Sequence, residues 1–476
     1  MPTSNLLFAT ASLLLAPVVC LHAQAVNTLD PAVAAQVDRT AKDIIAQTGI
    51  PSASIALVKD GRVAYLHAYG EARLHPPMAA TSEMQYPIGS VSKQFTATLI
   101  LLLSQDGKLS LDDHVGKYLP QLTRANDVTI REILSMTSGY QDYWPEDYVM
   151  TSMMVPANAD HILDIWGKKP LDFEPGTQWQ YSNTNYVIAG KIAEMVGGKP
   201  LVDQLEERIF KPLHMDGVLN QDEARLPATD PIGYYRHALG PLRPAPLEGL
   251  GWMFAAGELA MSPHDLALWD ISLMNRSLLK PDSYEAMFTD VKLKNGKPTG
   301  YGLGVEVGEY DGQPVIAHSG EVSGFVSQNT VYPEARASVT VLTNIDASSA
   351  ASTIARNLAP VVLAKSGTAS AEENGTAAAE ARALKIFTGL QNGQIDRSHL
   401  TQLCNNYFTQ EAIDDYASSL EPLGTPLSFT QVAKESRGGM TFRTFRVEFP
   451  GKQLKVTTYE EPDGKLEQYL VIPSAH

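Results

Sequence analysis

The sequence predicts an α+β protein in which helices flank one antiparallel sheet and a large helical insert separates the early strands of that sheet from the late ones. Three observations predict this class. Strand-like alternation occurs at residues 52–75, helical periodicity fills residues 93–288, and alternation returns at residues 301–344. A second, smaller α+β unit follows near the C-terminus.

Length and composition indicate a globular protein with more than one folded unit. The chain has 476 residues, of which 44% are hydrophobic and 19% are charged. Its formal net charge of −16 argues against nucleic-acid binding, which needs basic patches. We therefore expect a small-molecule or peptide substrate, and a neutral or cationic one fits this charge best.

Residues 1–25 are interpreted as a signal peptide. A broken apolar run ends in Ala23-Gln24-Ala25, a small-x-small pattern after which signal peptidases cleave. We expect a periplasmic or extracellular protein without stable membrane insertion. No Lys or Arg precedes Arg39, which leaves an uncleaved anchor as the alternative, and Cys20 leaves lipid attachment open. Cleavage leaves only Cys404, so no disulfide framework is indicated.

Residues 26–365 are predicted to form the main domain. Two alternating segments surround Lys59-Asp60-Gly61-Arg62, which predicts a β-hairpin. Three late strands are expected to join this hairpin in one sheet. A helix over residues 348–365 is expected to pack on that sheet.

The remaining chain is predicted to be a linker and an accessory domain. Residues 366–377 are small and polar without apolar periodicity, which is typical of a linker. Residues 378–476 are predicted to form helices followed by an antiparallel sheet. We expect this unit to bind a partner, cover a cleft or stabilise the main domain.

Ser90 and Lys93 are the first candidates for chemistry. In "YPIGSVSKQF" a glycine turn leads from the serine into an apolar, buried helix. Backbone N–H groups at a helix N-terminus favour a developing alkoxide, and one helical turn brings the lysine to the hydroxyl. Burial should lower the pKa of Lys93 so that it can act as a base. Ser277 and Lys280 repeat the spacing, so spacing alone also fits a helix cap with an exposed lysine.

Two later motifs strengthen this hypothesis. Tyr181-Ser182-Asn183 stands on a turn before a helix, where the phenol can relay a proton and the amide can orient Lys93 and hold a substrate carbonyl. His318-Ser319-Gly320 stands at the end of a predicted strand, where small residues let a substrate lie against the strand edge. Each motif is weak alone, and the three together indicate a serine hydrolase.

With these motifs the sequence resembles the serine β-lactamase and penicillin-binding-protein family, in particular the branch of class C β-lactamases, D,D-carboxypeptidases, D-aminopeptidases and related esterases. The resemblance runs over residues 40–362 and includes "TIREILSMTSGY", "FEPGTQWQYSNTNYVIAGKIAE" and "AHSGEVSGFVSQNTVYPEARASVTVLTN". It implies the β-lactamase/transpeptidase-like fold and hydrolysis of an amide or ester without a cofactor. It does not specify the substrate.

The resemblance also implies roles for individual residues. Ser90 would form an acyl-enzyme, and Lys93 and Tyr181 would share proton transfer, with their order left open. Asn183 would hold the acyl amide of the substrate. The backbone N–H groups of Ser90 and Glu321 would form the oxyanion hole.

Two departures from the family pattern bear on the substrate. His318 stands where class C β-lactamases have lysine, so the fixed charge that helps bind a carboxylate is largely lost near neutral pH. Glu321 would repel carboxylates if its side chain faces the cleft, and either direction is open at a strand edge. We therefore expect an ester, or a peptide or amide of a D-amino acid. A β-lactamase or D,D-carboxypeptidase is the alternative, and a non-catalytic protein that binds cell-wall fragments or peptides is the rival from another class.

Other residues that could suggest a function have simpler structural explanations. No metal site is predicted, because Pro263-His264-Asp265 before an apolar helix is better explained as its N-terminal cap. The chain has no glycine-rich phosphate loop after a strand, so no nucleotide is implied. Tyr140, Tyr143 and Trp144 either line the cleft or serve ordinary packing.

Overall fold

The computed structural model describes residues 27–363 and 377–474. The predicted signal peptide lies outside these residues, as does the predicted linker except for its last residue, so both stay predictions.

The helical elements of the described chain are short to medium in length. They are α1 Pro31–Thr48, α2 Ser92–Gln105, α3 Ile130–Leu134, α4 Ala159–Ile165, α5 Asn183–Gly197, α6 Leu201–Leu205, α7 Phe254–Gly257, α8 Pro263–Asn275, α9 Pro281–Phe288, α10 Ala350–Val362, α11 Ala377–Gln391, α12 Gln402–Tyr407 and α13 Gln410–Leu420. Within residues 27–363 and 377–474, no helix is both long enough and apolar enough to cross a membrane.

The strands form two large antiparallel sheets and two minor ones. They are β1 Ser52–Lys59, β2 Arg62–Leu74, β3 Pro77–Ala79, β4 Tyr86–Pro87, β5 Leu219–Asn220, β6 Tyr234–Tyr235, β7 Arg243–Pro244, β8 Leu259–Met261, β9 Glu306–Tyr310, β10 Gln313–Val322, β11 Phe325–Tyr332, β12 Ala337–Thr343, β13 Ser428–Arg437, β14 Met440–Phe449, β15 Lys452–Glu460 and β16 Leu466–Ser474.

The main sheet joins the two ends of the first domain, as predicted. Its order is β3-β2-β1-β12-β11-β10-β9, so the early hairpin pairs with the late strands through β1 and β12. The late part contains four strands where three were expected, because Glu306–Tyr310 pairs with β10 as an additional edge strand. The predicted α+β class with a helical insert is confirmed.

Both faces of this sheet are buried, because its central strands are apolar on both sides. In β1, Ile55 and Leu57 pack under α1 and α10, while Ala56 and Val58 face the helical insert. The predicted helix over residues 348–365 is α10, which lies on β11 and β12. The insert is centred on α2, whose residues 92–103 are all buried.

The C-terminal unit has the predicted order of helices followed by strands. Strands β13 to β16 form an antiparallel meander, and α11 to α13 pack with it around a separate apolar core that includes Phe387, Tyr416 and Phe445. The tight turn between β13 and β14 contains Gly438 and Gly439, both with positive φ. This turn points toward the main domain, as described below.

Candidate active site

Ser90 lies in a 3-10 turn over Gly89–Val91 that leads directly into α2. Gly89 has a φ of +51°, a conformation that favours glycine, and it places the serine at the start of the buried helix. Lys93 follows one turn later and is fully buried. Its Nζ lies 2.8 Å from the Ser90 Oγ, so the predicted pair is in direct contact.

The surroundings of Lys93 favour the neutral amine. Burial lowers its pKa well below the usual value, and the positive charge of Arg437 lowers it further, whereas Asp142 opposes this shift. The Nζ donates to Asn183 Oδ1 at 2.7 Å and to the Ala256 carbonyl at 2.8 Å. A neutral amine has two N–H groups, which these acceptors occupy, so its lone pair is left for the Ser90 hydroxyl.

Tyr181 and Asn183 stand where the sequence predicts them, on the turn that opens α5. The Lys93 Nζ lies 5.0 Å from the centroid of the Tyr181 ring. Burial raises the pKa of the Tyr181 phenol, and the nearby Ser90 hydroxyl and the charge of Arg437 oppose that rise. The phenol oxygen makes no hydrogen bond of normal geometry in the described chain, so it is available to a reacting group beside Ser90.

Asp142 is a member of the site that the sequence analysis missed. Its Oδ1 accepts hydrogen bonds from the backbone N–H of Asn183 at 2.9 Å and of Trp144 at 3.2 Å. The Asn183 Nδ2 donates to the Trp144 carbonyl at 3.1 Å. These bonds fix the amide so that its oxygen faces Lys93. The carboxyl stands two residues after Tyr140, in a loop whose text carries no catalytic signature.

The third motif lies in the interior of β10, whereas the sequence predicts it at the end of a strand, because β10 continues through Val322. The ring of His318 is buried behind Tyr181 and is not among the residues that line the cavity, with Nε2 2.9 Å from the Tyr301 hydroxyl and Nδ1 2.6 Å from the Ser319 carbonyl. Burial lowers the pKa of His318 to about 3, with a contribution from Lys93 whenever that amine is protonated, so the imidazole is neutral. Ser319, Gly320 and Glu321 line the cavity instead.

Gly320 and Glu321 lie against the segment that carries the nucleophile. A Cβ on Gly320 would stand 1.9 Å from the Ile88 carbonyl oxygen, and a Cβ on Gly89 would stand 2.7 Å from the Glu321 nitrogen. Only glycine allows this approach. The Glu321 backbone nitrogen is therefore beside the start of α2, where the resemblance expects an oxyanion hole.

The Glu321 side chain faces the cavity, which resolves the direction that the sequence left open. Its Oε1 accepts a hydrogen bond from the Ala347 backbone N–H at 2.7 Å. Burial raises its pKa well above the usual value, and the charges of Asp147 and Asp346 add to the rise.

The cavity over Ser90 has a volume of about 440 Å³ and an acidic wall. Its carboxyl groups belong to Glu146, Asp147, Glu306, Glu321, Asp346 and Glu435, and its basic groups belong to Arg437 and Lys455. Burial raises the pKa of the carboxyl groups of Glu146 and Asp346 to about 8 each. A bound cation would favour ionisation of these groups.

Of the aromatic residues and the predicted helix cap outside the three motifs, some line the cavity and others are buried in the core. Tyr143 and Trp144 line the cavity, whereas Tyr140 is buried and donates to the Thr123 carbonyl. Ser262 and Asp265 form a capping box at the start of α8, so the interpretation of His264 and its neighbours as a helix cap is confirmed. The described residues contain no group of three or more His, Cys, Asp or Glu side chains arranged to hold a metal ion.

Arg437 comes from the C-terminal unit and was also missed. It ends β13, and its guanidinium carbon lies 5.1 Å from the centroid of the Tyr181 ring. Its Nε donates to the Asp142 Oδ2 at 3.2 Å. No local pattern marks this arginine, because its partners are distant in sequence.

Comparisons with known proteins find relatives for most of the main domain. The protein-family model described as "Beta-lactamase" matches residues 37–363. A D-aminopeptidase of Brucella anthropi is 30% identical over 301 residues, which cover 62% of this chain and 56% of the relative. The chain thus spans about half the length of the curated relatives it matches.

Solved structures extend the comparison to the whole fold. The D-amino acid amidase of Ochrobactrum anthropi SV3, solved with D-phenylalanine, has a TM-score of 0.61 and 25% identity, covering 70% of this chain and 98% of the amidase. An octameric penicillin-binding protein homologue from Pyrococcus abyssi has a TM-score of 0.62 and 21% identity, covering 92% of this chain and 99% of the homologue. The second likeness concerns the fold alone.

Proposed function

Because the chain belongs to the Beta-lactamase family, we propose that it hydrolyses amide or ester bonds through an acyl-enzyme on Ser90. The observation that carries the proposal is the contact of the fully buried Lys93 with the partly exposed Ser90. Within residues 27–363 and 377–474 Lys93 has no ion-pair partner in contact, and burial lowers its pKa, so it is suited to remove the proton of a serine hydroxyl. An ordinary surface lysine would not be.

The proposed reaction proceeds in two halves. Ser90 Oγ attacks the carbonyl carbon of the substrate while its proton passes to Lys93. The negative oxygen of the tetrahedral intermediate accepts hydrogen bonds from the backbone N–H groups of Ser90 and Glu321. Tyr181 relays a proton to the leaving amine or alcohol, and the carbonyl bond re-forms as the acyl-enzyme. Water then attacks, with the same groups moving its proton, and releases the acid.

We propose amides and peptides of D-amino acids with a free ammonium group as the substrate class. The acidic cavity wall supports a cation beside the scissile carbonyl. The matched relatives include a D-aminopeptidase and a D-amino acid amidase. Asn183, whose Nδ2 faces away from Lys93, would contribute to the acyl subsite.

The β-lactamase and D,D-carboxypeptidase alternatives need a partner for the substrate carboxylate. The neutral, buried His318 supplies no positive charge at the third motif, and Glu321 faces the cavity there. Both features support an ammonium-bearing substrate over a carboxylate-bearing one.

We also propose export of the protein, on the sequence pattern of residues 1–25 alone. N-terminal sequencing of the protein recovered from the periplasm or medium tests this, and a mature start at Met1 would contradict it.

The hydrolase proposal is tested with Ser90→Ala and a matched control, Ser277→Ala. Ser277 belongs to the second S-x-x-K pattern and lies outside the cavity lining. We expect wild-type protein and Ser277→Ala to hydrolyse D-alanyl p-nitroanilide, and Ser90→Ala to lose more than about 1,000-fold in kcat/KM. A fluorophosphonate adduct should map to Ser90 by mass spectrometry.

Three outcomes discriminate among the alternatives. Unchanged turnover in Ser90→Ala would overturn the proposed function. A lack of any adduct at Ser90, together with no turnover by wild-type protein, would favour the non-catalytic binding role. Nitrocefin hydrolysed faster than D-alanyl p-nitroanilide would favour a β-lactamase.

A further inference from the structure

Arg437 links the C-terminal unit to the proposed catalytic groups. Its Nη2 donates to the Trp144 carbonyl at 3.1 Å, and its Nη1 donates to the Tyr459 hydroxyl at 3.0 Å. Together with the bond to Asp142, every branch of the guanidinium is occupied. The backbone of Arg437 also forms a parallel β-bridge with Tyr181. The arginine is thus locked in one orientation.

A chain of hydrogen bonds and contacts connects Arg437 with Ser90. Arg437 bonds to Asp142, which bonds to the Asn183 backbone. The side chain of Asn183 accepts from Lys93, and Lys93 contacts Ser90. Asp142 has a fully buried side chain and forms its ion pair with Arg437. Without the arginine, this buried carboxyl would lack its counter-charge.

The C-terminal unit holds the same loop at further points. Gln468 on β16 accepts a hydrogen bond from the Asp147 backbone N–H at 2.8 Å and donates to its carboxylate at 2.9 Å. The Tyr148 hydroxyl donates to the Glu467 carbonyl at 2.9 Å. The loop over residues 142–148 is therefore bonded both to Asn183 in the site and to the C-terminal sheet.

We propose that Arg437 is a positioning residue, so that the catalytic site is complete only when the C-terminal unit supplies this guanidinium to Asp142 and Tyr181. The inference rests on the proposed function. Arg437 holds the Asp142 carboxylate that orients Asn183, and it covers one face of the Tyr181 ring. Its charge also favours the deprotonated forms of the two groups that exchange protons with Ser90.

The charged and titratable groups around this site determine the sign of the effect. Lys93 and Tyr181 are faced by Asp142, Arg437, His318, Tyr186 and Glu306. Arg437 is faced in addition by Asp147, Glu146 and Tyr459. Removing the arginine removes a positive charge, which raises the pKa of Lys93. The base is then protonated over a wider range, so the acidic limb of the pH profile moves to higher pH.

The test compares Arg437→Met, Arg437→Lys and the control Arg443→Met in the full chain. Arg443 lies on β14 of the same sheet, pairs with Glu460 and is absent from the cavity lining. For D-alanyl p-nitroanilide we expect Arg437→Met to move the acidic limb of kcat/KM upward by about one pH unit and to lower kcat at least about tenfold. Arg437→Lys should return the limb toward its wild-type position, and Arg443→Met should not move it.

Asp142→Asn provides a second variant with the opposite sign. It removes the charge that raises the pKa of Lys93, so the limb should move to lower pH. This variant also keeps the test informative if Arg437→Met does not fold. A wild-type profile in Arg437→Met or in Asp142→Asn, whatever its thermal stability, would overturn the inference. Turnover that survives Ser90→Ala would instead overturn the proposed function.

Discussion

Replacing Gly320 by alanine should distort the candidate site strongly, because there is no space for a Cβ at this position. The nearest atoms to an added Cβ would be the Ile88 carbonyl oxygen at 1.9 Å and the Ser327 Oγ at 2.6 Å. Gly320→Ala must therefore push β10 away from the segment that carries Ser90. Because small displacements in such a site cost about 100-fold in rate, we predict that kcat/KM falls by about that factor on all substrates.

Gly308→Ala is the matched control for this prediction. Gly308 lies on β9 in the same sheet, has no neighbour within 4 Å of an added Cβ, and has no positive φ. Its replacement should leave both activity and Tm close to wild-type values. Equal activities for the two variants, measured with D-alanyl p-nitroanilide, would show that the close approach is unimportant.

At the scale of single residues, the sequence predicts those site residues whose contacts are with residues nearby in the chain. Ser90 and Lys93 share one helical turn, and Tyr181 and Asn183 share one turn before α5, so their contacts follow from spacing and helix geometry. His318 was placed on the correct strand, but it lies in the interior of β10 and not at its end, and its direction depends on the pleat, which alternates between the faces. Asp142 and Arg437 could not be found, since their roles come from contacts between distant segments.

Helix α8 and strands β11 and β12 enclose a buried polar network behind the site. The Asp270 carboxylate accepts from Asn329 Nδ2 at 2.8 Å and from Thr340 Oγ1 at 3.2 Å. Asn329 Oδ1 accepts from Gln94 on α2, and Gln94 accepts from the Trp269 indole. The network thus connects the helix of Ser90 with the sheet. Burial raises the pKa of Asp270 to about 7.

This raised pKa predicts a loss of stability with increasing pH. Between the unfolded pKa of 3.8 and the folded value of about 7, the folded state retains the proton and the unfolded state does not. The free energy of unfolding should therefore fall as pH rises through that window. Asp270→Asn should remove this contribution, which is on the order of 2 to 4 kcal/mol.

Denaturant titrations across the window test the prediction for Asp270. The control Asp282→Asn changes the same charge at an exposed position at the start of α9, and should keep the wild-type slope. A pH slope in Asp270→Asn as steep as that of wild-type protein would contradict the assignment of this carboxyl.

At the scale of elements, the prediction succeeds where one periodicity extends over a whole segment. The hairpin of β1 and β2, the helix α10 and the four strands of the C-terminal meander all follow from clear alternation or amphipathic spacing. Strand-like alternation was recognised from residue 301, but three late strands were expected where the structure has four, and the edge strand β9 is the additional one. Its position depends on pairing with β10.

At the scale of the whole molecule, no single segment makes the cavity acidic. Glu146 and Asp147 come from the helical insert, Glu321 and Asp346 from the main sheet and the chain after it, and Glu435 from the C-terminal unit. The net charge of −16 predicted a neutral or cationic substrate only in general terms. The fold concentrates that charge around Ser90, which the sequence alone could not indicate.

This acidic wall predicts a preference for an ammonium group over an uncharged group of similar size. D-alanyl p-nitroanilide and isobutyryl p-nitroanilide differ only by ammonium against methyl on the acyl group. We expect kcat/KM to favour the D-alanyl substrate at least about tenfold near neutral pH. The preference should grow as pH rises from about 6 to about 7.5, because carboxyl groups with a pKa of about 8 begin to ionise while the substrate amine stays largely charged. Glu321→Gln should reduce the preference, whereas Asp290→Asn, outside the cavity lining, should not. Equal rates for the two substrates over this range would mean that the acidic wall does not select the substrate, and the D-amino acid amide class would lose its main physical support.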